Sequence, residues 1–255
     1  MTQLRTLCGA LILALVVGAC GDADVADTTT PDTSPPMTLP STTATSTRPT
    51  IETTTTTDTD TDTDLPGEHF DLGPQAGDEL GVVGVDSDDV LNLRAGPGTD
   101  NEIVATLDPV ATGLIATGQN RLLSESIWNE VDVDEGRGWI SSLYVGYIGM
   151  TDDATAQIID EMGERPSAET MLDLGALVAE HVAGDDEQVR ISVTVAPSVG
   201  DLGEVTYDVV GFADDSVLGV RLHVFGEPGD ESFELRAIEQ TVLCRRGVTI
   251  DGPCV

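Results

Sequence analysis

Lysine is absent from this chain. All 11 basic residues are arginines, set against 46 aspartates and glutamates, and the formal net charge is −35 at pH 7. No segment is basic, so phosphate backbones and anionic headgroups are repelled, which excludes nucleic-acid binding and electrostatic membrane binding. Long apolar runs are missing too: the longest, Leu11 to Val17, is too short to span a bilayer. Histidine occurs three times and cysteine four times. There is no Gly-x-Ser-x-Gly elbow, no phosphate-binding glycine loop and no His-Glu-x-x-His helix. The sequence therefore assigns no catalytic residue, metal or cofactor. What is present is a hydrophobic fraction of 40%, enough for real cores.

The first twenty residues read as an address. Arg5 supplies a positive start and Leu11 to Val17 an apolar middle, followed by small residues. The closing Val17-Gly18-Ala19-Cys20 resembles the bacterial lipobox, which implies diacylation of the Cys20 thiol and cleavage before it. The expected location is extracytoplasmic, with the membrane reached through this lipid alone. From residue 21 to 66 no hydrophobic period exists, and threonine dominates among Pro, Ser and Asp. Such a stretch cannot bury enough apolar surface to offset its ordering entropy and is expected to be a disordered tether. A random coil of about 45 residues spans roughly 35–40 Å, so the tether holds the C-terminal body tens of ångströms from the membrane. The alternating Thr57-to-Asp64 run lacks the glycine turn and closing glutamate of a calcium loop.

Residues 78–147 carry short alternating or apolar runs, Gly81–Val85, Val90–Arg94, Ile103–Leu107, Gly113–Thr117, Ile127–Val131 and Gly138–Ile140, punctuated by Gly, Pro, Asn and Asp. That pattern predicts a small all-β barrel. Leu91-Asn92-Leu93-Arg94-Ala95-Gly96-Pro97-Gly98, the Trp128-x-x-Val131 strand and Gly138-Trp139-Ile140 through Val145 resemble, in order, the motifs of bacterial SH3-like domains. The resemblance implies a module that binds or positions, with cell-wall peptides or glycans, or an envelope protein, as its partners. The acidic charge makes wall polyanions poor ligands and leaves hydrogen bonding and aromatic stacking. Leu91 and Leu93 are expected on one face and Asn92 and Arg94 on the other. Trp139 is expected in the core, with Ile140, Leu143 and Val145 closing the barrel. Trp128 and Tyr144 are expected to line a groove. Asn92 and Arg94 are the further candidate ligand residues, with bonding to loop carbonyls as their competing structural role.

Residues 151–255 change rhythm. Thr151 with Asp152 and Asp153 reads as a helix start, with Ile158, Ile159 and Met162 as its stripe and Gly163 as its stop. A second helix is expected after Ser167 on Met171, Leu174, Val178 and Val182, ending at Gly184. Alternation at 189–195, 205–209, 220–224 and 233–237 predicts a four-stranded antiparallel meander. Two helices over such a meander form a two-layer α+β domain, whose family the sequence does not reveal. Cys244 and Cys254 are the only cysteines left in the exported body and are expected to pair. Their loop of about 11 residues is worth about 2.8 kcal/mol on the chain-entropy model.

The function expected from the sequence is non-enzymatic recognition or scaffolding at the cell envelope. Two alternatives stand beside it. One is an envelope hydrolase with its site in the C-terminal half, which requires converging acids or His223 beside another titratable group. The other is a small-ligand cradle, which requires a deep apolar pocket between helices and sheet.

Overall fold

The β-periodic stretches of this sequence are joined by ladder hydrogen bonds into one path of strands. A computed structural model describes residues 65–255, which fall within a single compact unit; Cys20 and all of the tether but its last two residues lie outside the described residues. Among the described residues the chain is mostly antiparallel β, with two α-helices. Its first strands are β1 (Glu68–His69), β2 (Glu79–Val82), β3 (Leu91–Arg94), β4 (Ile103–Leu107), β5 (Leu114–Leu122), β6 (Ile127–Val133) and β7 (Gly136–Ser141). A 3-10 turn, Ser142–Tyr144, leads into β8 (Val145–Asp153). Then come α1 (Thr155–Met162), β9 (Ser167–Ala168), α2 (Met171–Ala183), β10 (Arg190–Val199), β11 (Gly203–Val210), β12 (Val217–Pro228) and β13 (Phe233–Cys244). The strand order is β10-β11-β12-β13-β8-β2-β5-β6-β7-β3-β4, with β1 beside β5 and β9 beside β13.

The alternation at 91–94 is realised as read: Leu91 and Leu93 are buried, and Asn92 and Arg94 half-buried on the other face. Leu93, Ile140, Val131 and Leu114 form the centre of the N-terminal core. Gly138 is required there, because a Cβ would lie 2.6 Å from Leu93 Cγ. Trp139 is buried, and so are Ile140 and Val145. Leu143 is not: it is 56% exposed, because the 3-10 turn between β7 and β8 swings it outward.

Strand β8 corrects the expected helix start. Gly146 and Val145 pair with Gly81 and Val82 of β2, while Tyr147 through Asp153 pair with β13. One strand thus serves both halves, and Thr151, Asp152 and Asp153 belong to it. Pairing across β13 outweighs the local helix signal of two acids after a threonine. The signal survives in displaced form: Asp153 Oδ1 accepts the Thr155 N–H at 2.9 Å, and the helix starts there. The Thr155 hydroxyl, and after it that bond, hold the Asp153 carboxyl below the usual range.

The second helix begins on Thr170, whose hydroxyl accepts the Asp173 N–H at 3.1 Å, and ends at Gly184. Met171, Leu174 and Val178 face Val205, Tyr207, Leu222 and Ile238 in the second core. Gly175 permits the close approach, since a Cβ would lie 2.4 Å from the Tyr207 ring. The space between α2 and the sheet is filled by these side chains. At the far end, Cys244 and Cys254 form the disulfide, with Cα atoms 5.3 Å apart. The tail it holds lies over β8, where the Met150 N–H donates to Gly252 O at 3.4 Å.

Candidate functional site

Asn92, Arg94, Trp128 and Tyr144 come from three separate stretches of the chain, and all four line one groove of about 460 Å3. The pleat of β3 turns Asn92 and Arg94 toward it, β6 supplies Trp128, and the 3-10 turn supplies Tyr144. Trp128 is more deeply set than expected. It is only 4% exposed, its indole N–H donates to Ser126 Oγ at 2.9 Å, and one part of the ring borders the groove. Tyr144 is half-buried.

The two arginines of the groove are held differently. Arg94 Nη1 donates to the carbonyls of Thr99 and Asn101, both at 2.8 Å, and so shapes the turn around Gly96-Pro97-Gly98. That is the carbonyl-bonding role expected of it, and it leaves the rest of the guanidinium on the groove. Arg190, the first residue of β10, lies over the Tyr144 ring with its guanidinium carbon 5.4 Å from the centroid, and Nη2 donates to Leu143 O at 3.3 Å. Among the described residues neither arginine forms an ion pair with a carboxylate. Asp86 and Asp89 also line the groove. Their carboxylates accept backbone N–H groups, of Val193 at 3.2 Å and Val90 at 2.8 Å respectively. Two guanidinium and two carboxylate charges leave the groove near neutrality in a chain of net charge −35.

Sequence reasoning missed Arg190 and Ser192. Alternation along 189–195 places both on one face of β10, and nothing local says that this face meets the groove. The meeting is fixed by a buried ion pair. Asp208 is fully buried and accepts from Arg221 Nε at 2.7 Å and Nη2 at 2.9 Å. It also accepts the Gly84 N–H at 2.8 Å, while Arg221 Nη2 donates to Val82 O at 2.9 Å. Ser192 Oγ donates to Gly84 O at 3.3 Å, and the Ser87 N–H donates to Val193 O at 2.7 Å. The loop after β2, which forms one wall of the groove, is therefore bonded to β10, β11 and β12.

The three histidines lie apart from one another along the fold. His69 is beside Asp71 at 3.1 Å and His181 beside Glu161 at 3.6 Å. His223 lies between two carboxylates, Nε2 3.2 Å from Glu204 and Nδ1 3.7 Å from Glu239, with its ring centroid 4.1 Å from that of Phe225. Among the described residues no group of three or more His, Cys, Asp or Glu side chains is arranged to hold a metal ion. No described helix is long and apolar enough to cross a membrane. Comparison with protein families, curated proteins and solved structures gives no match to this chain.

Proposed function

We propose that this protein is a non-enzymatic lipoprotein, anchored outside the cell membrane through Cys20, in which residues 78–147 act as an SH3-like barrel recognising a peptide or glycan of the cell envelope. The observation that carries the reading is the convergence of Asn92, Arg94, Trp128 and Tyr144 on one groove. The groove offers an amide, an indole edge and a phenol with a cation stacked on it, in near-neutral surroundings. Those are the means of a site that binds by hydrogen bonds and stacking rather than by charge. The signal and tether read from the sequence support a position of that groove in the wall zone.

Co-sedimentation of the mature chain, residues 20–255 with Cys20→Ser to remove the lipid, on purified peptidoglycan tests the proposal. Retention is expected, and Tyr144→Ala should lower the affinity about 5- to 10-fold, the loss of one stacked, cation-bearing ring. Retention equal to that of an unrelated acidic protein removes the wall-binding claim.

The hydrolase is kept as a second reading because His223 sits between Glu204 and Glu239. An imidazole placed between two carboxylates has the geometry of a proton-transfer group. Release of soluble fragments from peptidoglycan that is lost in His223→Ala would move the assignment to this site.

A further inference from the structure

Arg94 is fixed on the groove by one end of its guanidinium, Nη1, which donates to Thr99 O and Asn101 O at 2.8 Å. The other edge, Nε with Nη2, has no acceptor among the described residues. Two other arginines of this chain show what that edge does when an acceptor is near. Arg137 holds Asp132 and Arg221 holds Asp208, each through Nε at 2.7 Å and Nη2 at 2.9 Å, in a two-point fork. Arg94 is half-buried, and none of its nitrogens is among the buried atoms that lack a partner, so its fork is open to solvent. Asp86 and Asp89 line the same groove but accept backbone N–H groups, of Val193 and Val90, and neither comes within ion-pair distance of Arg94. Asn92 lies two residues back on the same face of β3, about 7 Å along the strand. Its side-chain amide also has no partner among the described residues and is open to solvent. Arg190, stacked on Tyr144 and bonded to Leu143 O through Nη2, is a second guanidinium on the groove whose Nε and Nη1 have no acceptor there.

We infer that the groove binds a peptide by a carboxylate, which the Nε and Nη2 of Arg94 take in a two-point pair, with Asn92 on a peptide group of the same ligand and Arg190 as the second cation. The inference rests on the groove being the binding site and narrows its ligand from a peptide or glycan to a peptide. A carboxylate accepts both bonds of the fork at once, whereas a sugar hydroxyl accepts them singly. A phosphate dianion has the oxygens for the fork but meets Asp86 and Asp89 in a chain of net charge −35, which favours the singly charged carboxylate. The contact is short-ranged and directional, so it needs no positive field and is compatible with a groove whose summed charge is near zero.

The test is an NMR titration of the isotope-labelled mature chain, carrying Cys20→Ser, with three probes. Acetyl-Ala-Ala has a terminal carboxylate, acetyl-Asp-Ala-amide has one on a side chain, and acetyl-Ala-Ala-amide has none. At least one acid should shift the Arg94 Nε–H and the Asn92 amide saturably, with an affinity about tenfold above that of the amide, as one charged two-point pair would give. Which acid does so identifies the source of the carboxylate. Arg94→Lys keeps the charge and a donor for the Thr99 and Asn101 carbonyls but has no fork, and should reduce the ratio to about twofold or less. The comparison on the unaltered chain stands by itself if that variant disturbs the turn. Equal affinities of acids and amide overturn the inference, as do acid-dependent shifts gathered away from Arg94. A groove that responds to N,N′-diacetylchitobiose and to neither acid overturns it too, in favour of a glycan. None of these results touches the wall-binding reading, which fails on the co-sedimentation experiment alone.

Discussion

Asp208 shows how a single side chain joins the two halves of this chain. Its carboxylate is fully buried and takes three hydrogen bonds, two from Arg221 and one from the Gly84 N–H. Removing the charge leaves a buried guanidinium and a backbone donor in want of an acceptor. Asp208→Ala should therefore lower stability by about 3–5 kcal/mol in urea unfolding, whereas the Asp208→Leu/Arg221→Met double variant should recover part of that loss. Asp214 makes a different point, on the surface. It accepts from the Val217 and Ser216 N–H groups and the Ser216 hydroxyl, and these bonds, with a smaller contribution from Arg245, hold its carboxyl below the ordinary carboxylate range. A depressed carboxyl stabilises the fold at pH values above the unfolded range and loses that contribution as pH falls through the folded value. Asp214→Asn should accordingly be less stable than the parent at pH 6 and indistinguishable from it near pH 2, read from unfolding curves across pH; a constant difference contradicts the assignment. Residues whose job is local were legible in the sequence, Arg94 beside its glycine turn among them. Asp208 was not, because its partners are Arg221 on the next strand and a glycine 124 positions away.

At the scale of elements, the clearest conflict between local and tertiary preference is in α2. Glycine inside a helix costs about 1 kcal/mol relative to alanine, so Gly175→Ala ought to help on propensity alone. The Tyr207 ring and Val205 occupy the place a Cβ would take, at 2.4 and 2.6 Å. Packing wins: Gly175→Ala should destabilise by about 1–3 kcal/mol, measured by urea unfolding. A gain in stability would mean that α2 moves freely over the sheet. The disulfide acts on the tail and on β13 together. Cys254→Ser should cost about 2–3 kcal/mol, and hydrogen exchange should quicken in the 247–255 segment and at Met150 beneath it. Strands and helices were readable from period and from glycine stops, while the Thr170 cap of α2 came only with the structure. The stretch 145–153 was not, since period cannot say which strand a residue pairs with, and β8 is defined by having a partner on each side, β2 and β13.

For the whole molecule, net charge and the shared groove carry the consequences. A charge of −35 stores self-repulsion that the folded state concentrates. Raising NaCl from about 0.01 to 0.5 M shortens the screening length from about 30 Å to a few ångströms, and the urea midpoint at pH 7 should rise. The groove is composite: the loop after β2, β3, β6 and the 3-10 turn form most of it, and β10 adds Arg190 and Ser192. Part of that composition was legible, because Asn92, Arg94, Trp128 and Tyr144 come from motif and pleat. The contribution of β10 depends on the Asp208–Arg221 pair and on β8 continuing from one half into the other. The most direct test is a titration of soluble peptidoglycan fragments into the isotope-labelled full-length chain, followed by NMR. The prediction is saturable shifts at Asn92, Arg94, the Trp128 indole and Tyr144, accompanied across the junction by Arg190. Shifts absent from all five, or gathered instead around His223, would contradict it.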